Sequence, residues 1–417
     1  MKTSAQAEPL LFLNKERCRG CTHCIRVCPT EAIRIRRGKA EVMVHRCVQC
    51  GECLRVCPRE AWEARSGFYA QATKERKIIA VLDPTVFWQF GGKTSPRRIR
   101  EAFLEIGFTD VQDLGEALGR YAAAVSYYLS SYDKPVPPIS ATCPAVSQLV
   151  QVKYPGLIEN LVPVIQPFSI MAGNFKRDDR GNSGDGLYYI VPCLARADSV
   201  MELLTKEGMI SAGAVPLLDV YNDLKSALFR KKEAFVDSPV KKTTIAGMRW
   251  AAAGGESQTL RMPATLIVDG IHRVVRVFEL AESGLLDDVR FIEAWACPSG
   301  CLGGPLNVED PFLARYYLTE WIRKNEIKVG EETREEVVWE IDSLRLDSPL
   351  NPRPGLRLDA DLKIAMEKLR FIDETVKKFP GIDCSACGCP SCLALAEDIV
   401  QGHAREKDCI YLMKEKN

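Results

Sequence analysis

The stretches "CRGCTHCIRVCP" and "CVQCGECLRVCP", beginning at Cys18 and Cys47, repeat one spacing. Three cysteines lie two residues apart, a fourth follows after three more, and Pro29 or Pro58 closes the run. Eight of the chain's cysteines thus fall between residues 18 and 57. The whole chain has 417 residues, 17 cysteines and only 4 histidines. A disulfide framework suits a short secreted chain, whereas cysteines bunched at metal-ligand spacing in a long one point to thiolate metal sites. The opening "MKTSAQAEPLLFLNKERC" carries no apolar segment bounded by a cleavage site. No later run approaches the roughly 20 apolar residues that span a bilayer. The expectation is a cytoplasmic protein with no membrane partner.

The repeat resembles the bacterial ferredoxin pattern, in which three cysteines of a run hold one 4Fe-4S cluster and the fourth crosses to the other. That resemblance implies one ligand set of Cys18, Cys21, Cys24 and Cys57 and a second of Cys47, Cys50, Cys53 and Cys28, in an α+β domain over residues 1–70. Soft thiolates suit iron, and short loops let backbone amides approach the sulfides. A pair of zinc knuckles is the competing reading, and the doubled four-cysteine pattern weighs against it. Such a domain moves single electrons, so the large segment fused to it implies a redox centre to feed or drain.

The whole chain has the composition of a folded, multi-domain protein. With 46% hydrophobic residues and 56 basic against 55 acidic ones, the chain can bury two or three cores and makes no electrostatic case for nucleic acid. "KIIAVLDPTVFW" from Lys77 is β-branched and apolar. "SPRRIREAFLEIGF" then places Ile99, Phe103 and Ile106 at helical spacing after a Ser-Pro start. The alternation predicts an α/β domain with a largely parallel sheet. Four isolated cysteines fall at strand or helix boundaries: Cys143 in "PPISATCPAV", Cys193 in "LYYIVPCLARAD", and Cys297 and Cys301 in "VRFIEAWACPSGCLGG". Strand ends of an open α/β sheet converge on one crevice, where four thiols can hold a third cubane cluster. Burial as small apolar side chains is the bland alternative for each cysteine taken singly.

The three segments resemble the active-site motifs of FeFe-hydrogenases, written TSCCPxW, MPCxxKxxE and ExMxCPxGCxxGG. "SPRRIREAFLEIGFTDVQDLGEALG" and "CPAVSQLVQVKYPGLIENLVPVIQPFSIMAG" extend the likeness, which spans roughly residues 1 to 320. The resemblance implies a two-lobed catalytic domain over residues 71–340. It also implies an H-cluster, a 4Fe-4S cubane on Cys143, Cys193, Cys297 and Cys301, with Cys301 bridging to a diiron subcluster that carries CO, CN and azadithiolate ligands. Gly300, Gly303 and Gly304 would let the backbone approach the diiron unit.

Departures from the motifs bear on function. The family's proton-relaying thiol is replaced by Thr142, and an alcohol has a far higher pKa than a thiol, about 8.5. "YAAAVSYYLSSY" from Tyr121 to Tyr132 lacks the acids usual on that helix, and the closing glutamate of the second motif is Ser199. The motif lysine becomes Arg196, a guanidinium of different reach. Val191 and Trp295 replace motif methionines, Val146 the tryptophan, and Phe168 falls at a usual glutamine place. The expected result is slow turnover, and the altered pocket resembles the sensory subgroup of the family.

After Trp339, "LRLDSPLNPRPGLRLD" reads as a connection, assigned to residues 341–361. A helix with Leu362, Ala365, Met366, Leu369, Ile372 and Val376 on one stripe follows. "PGIDCSACGCPSCLALAEDIVQGHAREKDC" then resembles the small 4Fe-4S domain of corrinoid iron-sulfur proteins and of some sensory hydrogenases. That likeness implies a helical domain over residues 362–417 with Cys384, Cys387, Cys392 and Cys409 as ligands. Cys389 could exchange with Cys387 or Cys392 or be free, and zinc is the alternative metal. The polar "GNFKRDDRGNSGDG" from Gly173 to Gly186 reads as a solvated loop.

The resemblance thus implies an anaerobic hydrogenase with H2 and protons as substrates and a ferredoxin-like redox partner. A separate signalling protein is implied if the task is sensing. Two other readings stay open: an ordinary ferredoxin-linked producer, and a non-catalytic hydrogenase-like iron-sulfur protein without the diiron unit.

Overall fold

A computed structural model describes residues 11–64, 77–177, 185–206, 212–230, 242–326, 344–346, 350–353, 355 and 358–414. The chain divides into two compact units that are not consecutive in sequence. One comprises residues 11–63, 148–155 and 351–417, and the other residues 1–10, 64–147 and 156–350. Three successive segments are legible in the sequence, but the first and last of them belong to one unit.

In that shared unit, strands β1 (Leu11–Leu13), β2 (Ile33–Arg36), β3 (Lys39–Val42) and β4 (Trp62–Ala64) form two small sheets, β1 with β4 and β2 antiparallel to β3. Arg37 and Gly38 both adopt positive φ to turn the β2–β3 hairpin, as a two-residue turn requires. Helices His23–Arg26 and Glu52–Val56 lie inside the two cysteine runs. The core here is thin, with Ile25, Ile33, Ala40, Ala61 and Trp62 packed around Cys18 and Cys24. The C-terminal segment adds helices Leu362–Val376, capped by Asp361 accepting from Lys363 N and Ile364 N, and Cys392–Val400, capped by Ser391. The stripe expected on the first of these is only partly a packing face: Ile372 is buried, while Leu362, Met366 and Leu369 are exposed.

In the other unit, β5 (Lys77–Leu82), β6 (Asp110–Asp113), β7 (Asp185–Val191) and β8 (Ala212–Pro216) form a parallel sheet in the order β6-β5-β7-β8. Parallel strands covered on both faces read as continuous apolar runs, and every residue of β7 is buried. Helix Pro96–Glu105 makes the crossover from β5 to β6. Ser95 Oγ accepts from Arg98 N at its start, and Ile99 and Phe103 are fully buried. Burying each such side chain contributes about 1.5–3 kcal/mol. A second sheet pairs β9 (Thr265–Asp269) in parallel with β10 (Phe291–Trp295), and Ile139 bridges to Ile292 beside it. The polar stretch expected to be a loop is shorter than predicted. Its first five residues end helix Pro167–Arg177, its last two begin β7, and residues 178–184 lie outside the described residues. No helix among the described residues is long and apolar enough to cross a membrane.

Candidate active site

The carboxyl ends of the parallel strands deliver the candidate residues. β5 is followed by Asp83, β7 by Cys193, β10 by Cys297 and Cys301, and the segment beside β10 runs on to Cys143. Cys143, Cys297 and Cys301 are buried and Cys193 is half-buried, and none is in a disulfide. The Cys193 thiol is pushed up to about 12 by burial and by Cys297 and Cys143. The Cys301 thiol is likewise raised by burial, with Arg196 opposing and Cys193 and Cys143 adding. Four sulfurs within one another's field, each costly to ionise alone, are a donor set that a cationic iron centre satisfies. The backbone N–H of Arg196 also points at Cys193 Sγ, 3.4 Å away.

Arg196 opens the helix Leu194–Lys206 and spans the site. Its Nη2 is 3.5 Å from both Cys301 Sγ and Thr142 O, and its Nε is 3.5 Å from Asp83 Oδ2. Asp83 is fixed in turn: Tyr189 OH donates to Oδ2 at 2.8 Å, and Thr85 donates to Oδ1 through N and Oγ1. Phe168 stacks on Tyr189 with centroids 4.6 Å apart, so the residue at the family's glutamine place holds the tyrosine that holds Asp83. Gln166, two positions earlier, donates its amide to Ala141 O at 2.6 Å.

Thr142 is the centre of a second, buried polar group. Its Oγ1 lies 3.2 Å from both Tyr121 OH and Glu256 Oε2, Ser140 Oγ donates to the same carboxylate oxygen, and Thr142 N donates to Ser140 Oγ. Glu256 is fully buried, and its carboxyl is pushed up to about 8 by burial and by Glu293, the two hydroxyl hydrogen bonds opposing. Glu293, inside β10, accepts from Gly254 N, Ser257 N and Trp295 Nε1. The Trp295 indole is therefore committed to Glu293. Val191 is fully buried at the end of β7, and Val146 is buried in the helix Pro144–Lys153.

Sequence reasoning did not find Glu256, Glu293 or Asp83. The acid missing from residues 121–132 is supplied to Thr142 by the short helix Gly255–Leu260. A signal existed in "FIEAW", where a charge stands inside an apolar strand and so demands partners. The other two carry no comparable mark. Three of the buried side-chain atoms without a hydrogen-bond partner among the described residues belong to this site, Glu256 Oε1, Gln166 Oε1 and Arg196 Nε, the last facing Asp83 as an ion pair.

The glycines also have a steric role within the protein backbone itself. A Cβ on Gly300 would stand 2.5 Å from Ala253 N, on Gly303 2.1 Å from Pro298 O, and on Gly304 2.3 Å from Pro192 O. They let one backbone segment pass against another and so fix Cys297 and Cys301. Gly303→Ala is expected to destabilise this unit by at least ~1–3 kcal/mol, read as a lowered urea midpoint; an unchanged midpoint would refute that reading.

The remaining cysteines form three more groups. Cys18, Cys21, Cys24 and Cys57, with Ile35 and Trp62, line one small pocket. The Cys24 thiol is pushed up to about 11, chiefly by burial. Cys50 is raised well above the usual range by burial and by Cys28, Cys53 and Cys47. Backbone N–H groups point at sulfur from Ala32 to Cys28, Ala40 to Cys18 and Ala61 to Cys57, at 3.1–3.4 Å, as iron-sulfur thiolates require. Cys384, Cys387, Cys392 and Cys409 line a third cage, a small pocket that Cys389 also lines. Among the described residues, no three His, Cys, Asp or Glu side chains are drawn together tightly enough to grip a single metal ion.

Three family models match the chain: 4Fe-4S dicluster domain over residues 10–58, iron only hydrogenase large subunit, C-terminal domain, over residues 76–261, and an Fe-S cluster domain over residues 379–411. No curated protein matches. Among solved structures, the chain is similar to variants of the FeFe-hydrogenase HydA1 from Chlamydomonas reinhardtii. One is 15% identical with 68% of this chain and 95% of that chain covered at a TM-score of 0.47, and an apo variant is 15% identical with 65% and 89% covered at 0.46. An FeFe-hydrogenase structure concerned with oxygen inactivation of the H cluster 2Fe subcluster is also 15% identical, with 68% and 95% covered at 0.46.

Proposed function

We propose, for a chain that belongs to the FeFe-hydrogenase family and carries an iron-sulfur domain at each end, that Cys143, Cys193, Cys297 and Cys301 hold an H-cluster at which H2 is interconverted with two protons and two electrons. The observation that carries this reading is the convergence of four thiols beside Arg196, which reaches Cys301 and Thr142, with Glu256 bonded to Thr142 in turn. When bound, the group supplies a Lewis-acidic iron beside a basic amine, and so the bond-breaking chemistry itself. The chain's own residues bind, shield and deliver. Arg196 holds a fixed positive charge beside Cys301, steadied by Asp83. Glu256 stores a proton near neutral pH, and Thr142, Ser140 and Tyr121 offer hydroxyls along which it can pass.

The Cys18 and Cys47 runs and the Cys384 group would carry 4Fe-4S clusters that supply or drain electrons for an outside redox partner in an anaerobic cytoplasm. Thr142 in place of a thiol supports low turnover and a reporting task. Glu256 supports a second reading, an ordinary producer with its own proton route. Thr142→Cys separates the two: a gain of about tenfold or more in H2 evolution supports the throttled sensor, and no gain supports the producer.

Infrared spectroscopy on protein matured anaerobically with a synthetic diiron cofactor tests the central reading. Protein-bound carbonyl and cyanide bands that shift under H2 are expected. Absence of bound bands, after a maturation that works on a control hydrogenase, overturns it in favour of an iron-sulfur protein without the diiron unit.

A further inference from the structure

The first and last cysteine segments share one compact unit, and the seam between them is built from charge. Asp398, on the helix Cys392–Val400, is 4% exposed and faces two guanidinium groups of β2. Arg34 grips it with two hydrogen bonds, Nε to Oδ2 at 2.8 Å and Nη2 to Oδ1 at 3.1 Å. Arg36 Nη2 also bonds Oδ2, and lies 3.5 Å from Cys389 Sγ. Two cations against one carboxylate leave one positive charge on the seam. Between the arginines, Ile35 N donates to Gly388 O at 2.8 Å, and a Cβ on Gly388 would meet Ile35 O at 2.2 Å, so the strand lies directly against the Cys387–Cys389 turn.

Cys389 is fully buried, and its sulfur is 3.5 Å from Asp398 Oδ2 as well as from Arg36. A metal-bound thiolate would be repelled by that carboxylate, whereas a thiol donates to it and accepts from the guanidinium. We propose that Arg36, from the first segment, is a positioning residue for the metal cage of the last. It sets a fixed positive charge beside the cage of Cys384, Cys387, Cys392 and Cys409, while Asp398 keeps Cys389 a thiol outside the ligand set. The inference rests on the proposal that this cage carries a 4Fe-4S cluster. A reduced cluster bears one more negative charge than an oxidised one, so a neighbouring cation raises its potential.

The test is an EPR-monitored redox titration of the full chain, reconstituted anaerobically with iron and sulfide, with the C-terminal signal identified by its loss in Cys409→Ser. Arg36→Gln leaves the Arg34–Asp398 pair intact. It is expected to lower the reduced-to-oxidised ratio of that cluster at fixed potential by roughly tenfold, about 59 mV for one electron. Arg36→Lys restores most of the ratio because it restores the charge. Arg46→Gln removes another seam ion pair, with Glu397, and is expected to leave the ratio unmoved. Cys389→Ala keeps the iron content. An intact cluster whose ratio does not move in Arg36→Gln overturns the inference, as does an equal shift in Arg46→Gln or loss of iron in Cys389→Ala. A wild-type cage that takes up no cluster instead overturns the reading beneath it.

Discussion

Glu256→Gln is expected to lower H2 evolution by about two orders of magnitude, the range that a positioned proton donor contributes. The amide keeps the size and can still accept from Ser140 and Thr142, so the pocket survives while the storable proton is lost. The pH profile separates this role from a structural one. With a carboxyl pushed up to about 8, the wild type passes from protonated to ionised near that pH, and its activity profile carries a limb there that the variant lacks. Stability follows the same group. Between the usual 4.5 and about 8 the folded chain holds a proton that the unfolded chain has released, so this contribution is complete below 4.5 and is lost as pH rises toward 8. The variant should flatten that slope, which amounts to a few kcal/mol on the order-of-magnitude conversion of pKa to free energy. Equal activity, with the limb still present, would show that the proton travels by another route.

The second large effect lies in the other unit. Asp398→Ala removes the carboxylate shared by Arg34 and Arg36. A buried ion left without its partner costs about 3–5 kcal/mol, a large share of the 5–15 kcal/mol that holds a typical domain. Full-length protein loaded with iron and sulfide should lose its visible cluster absorbance at a clearly lower urea concentration than wild type. A joint replacement of Arg34, Arg36 and Asp398 by apolar residues of similar size should recover much of the loss, since it strands no charge. An unchanged midpoint in Asp398→Ala would mean that the seam contributes nothing measurable.

The contrast between these residues and the cysteines explains what was legible beforehand. Thiols announce themselves by spacing, and Lys77–Leu82 and Pro96–Glu105 by composition, periodicity and a Ser-Pro start, because those signals are local. Glu256 and Asp83 acquire their meaning only when residues more than a hundred positions away, Thr142 and Arg196, are folded beside them. The glycines of "GCLGG" were noticed, but their steric partners Ala253, Pro298 and Pro192 are backbone atoms whose approach depends on the fold. Cys389 shows the same limit: its spacing allowed three roles, and of the two charges that face it, Asp398 is nearby in sequence but Arg36 comes from β2 at the far end of the chain.

The discontinuous unit also sets an order of events in synthesis. Residues 11–63 meet residues 351–417 only after about 290 residues are made in between, or roughly 15–60 s at ordinary elongation rates. Until then Arg34 and Arg36 have no Asp398, and one side of the hairpin that carries them stands open to solvent. The last segment therefore acts as a clasp that closes late in synthesis, and a chain cut short within it would leave the first cysteine runs without the partner that shares their unit.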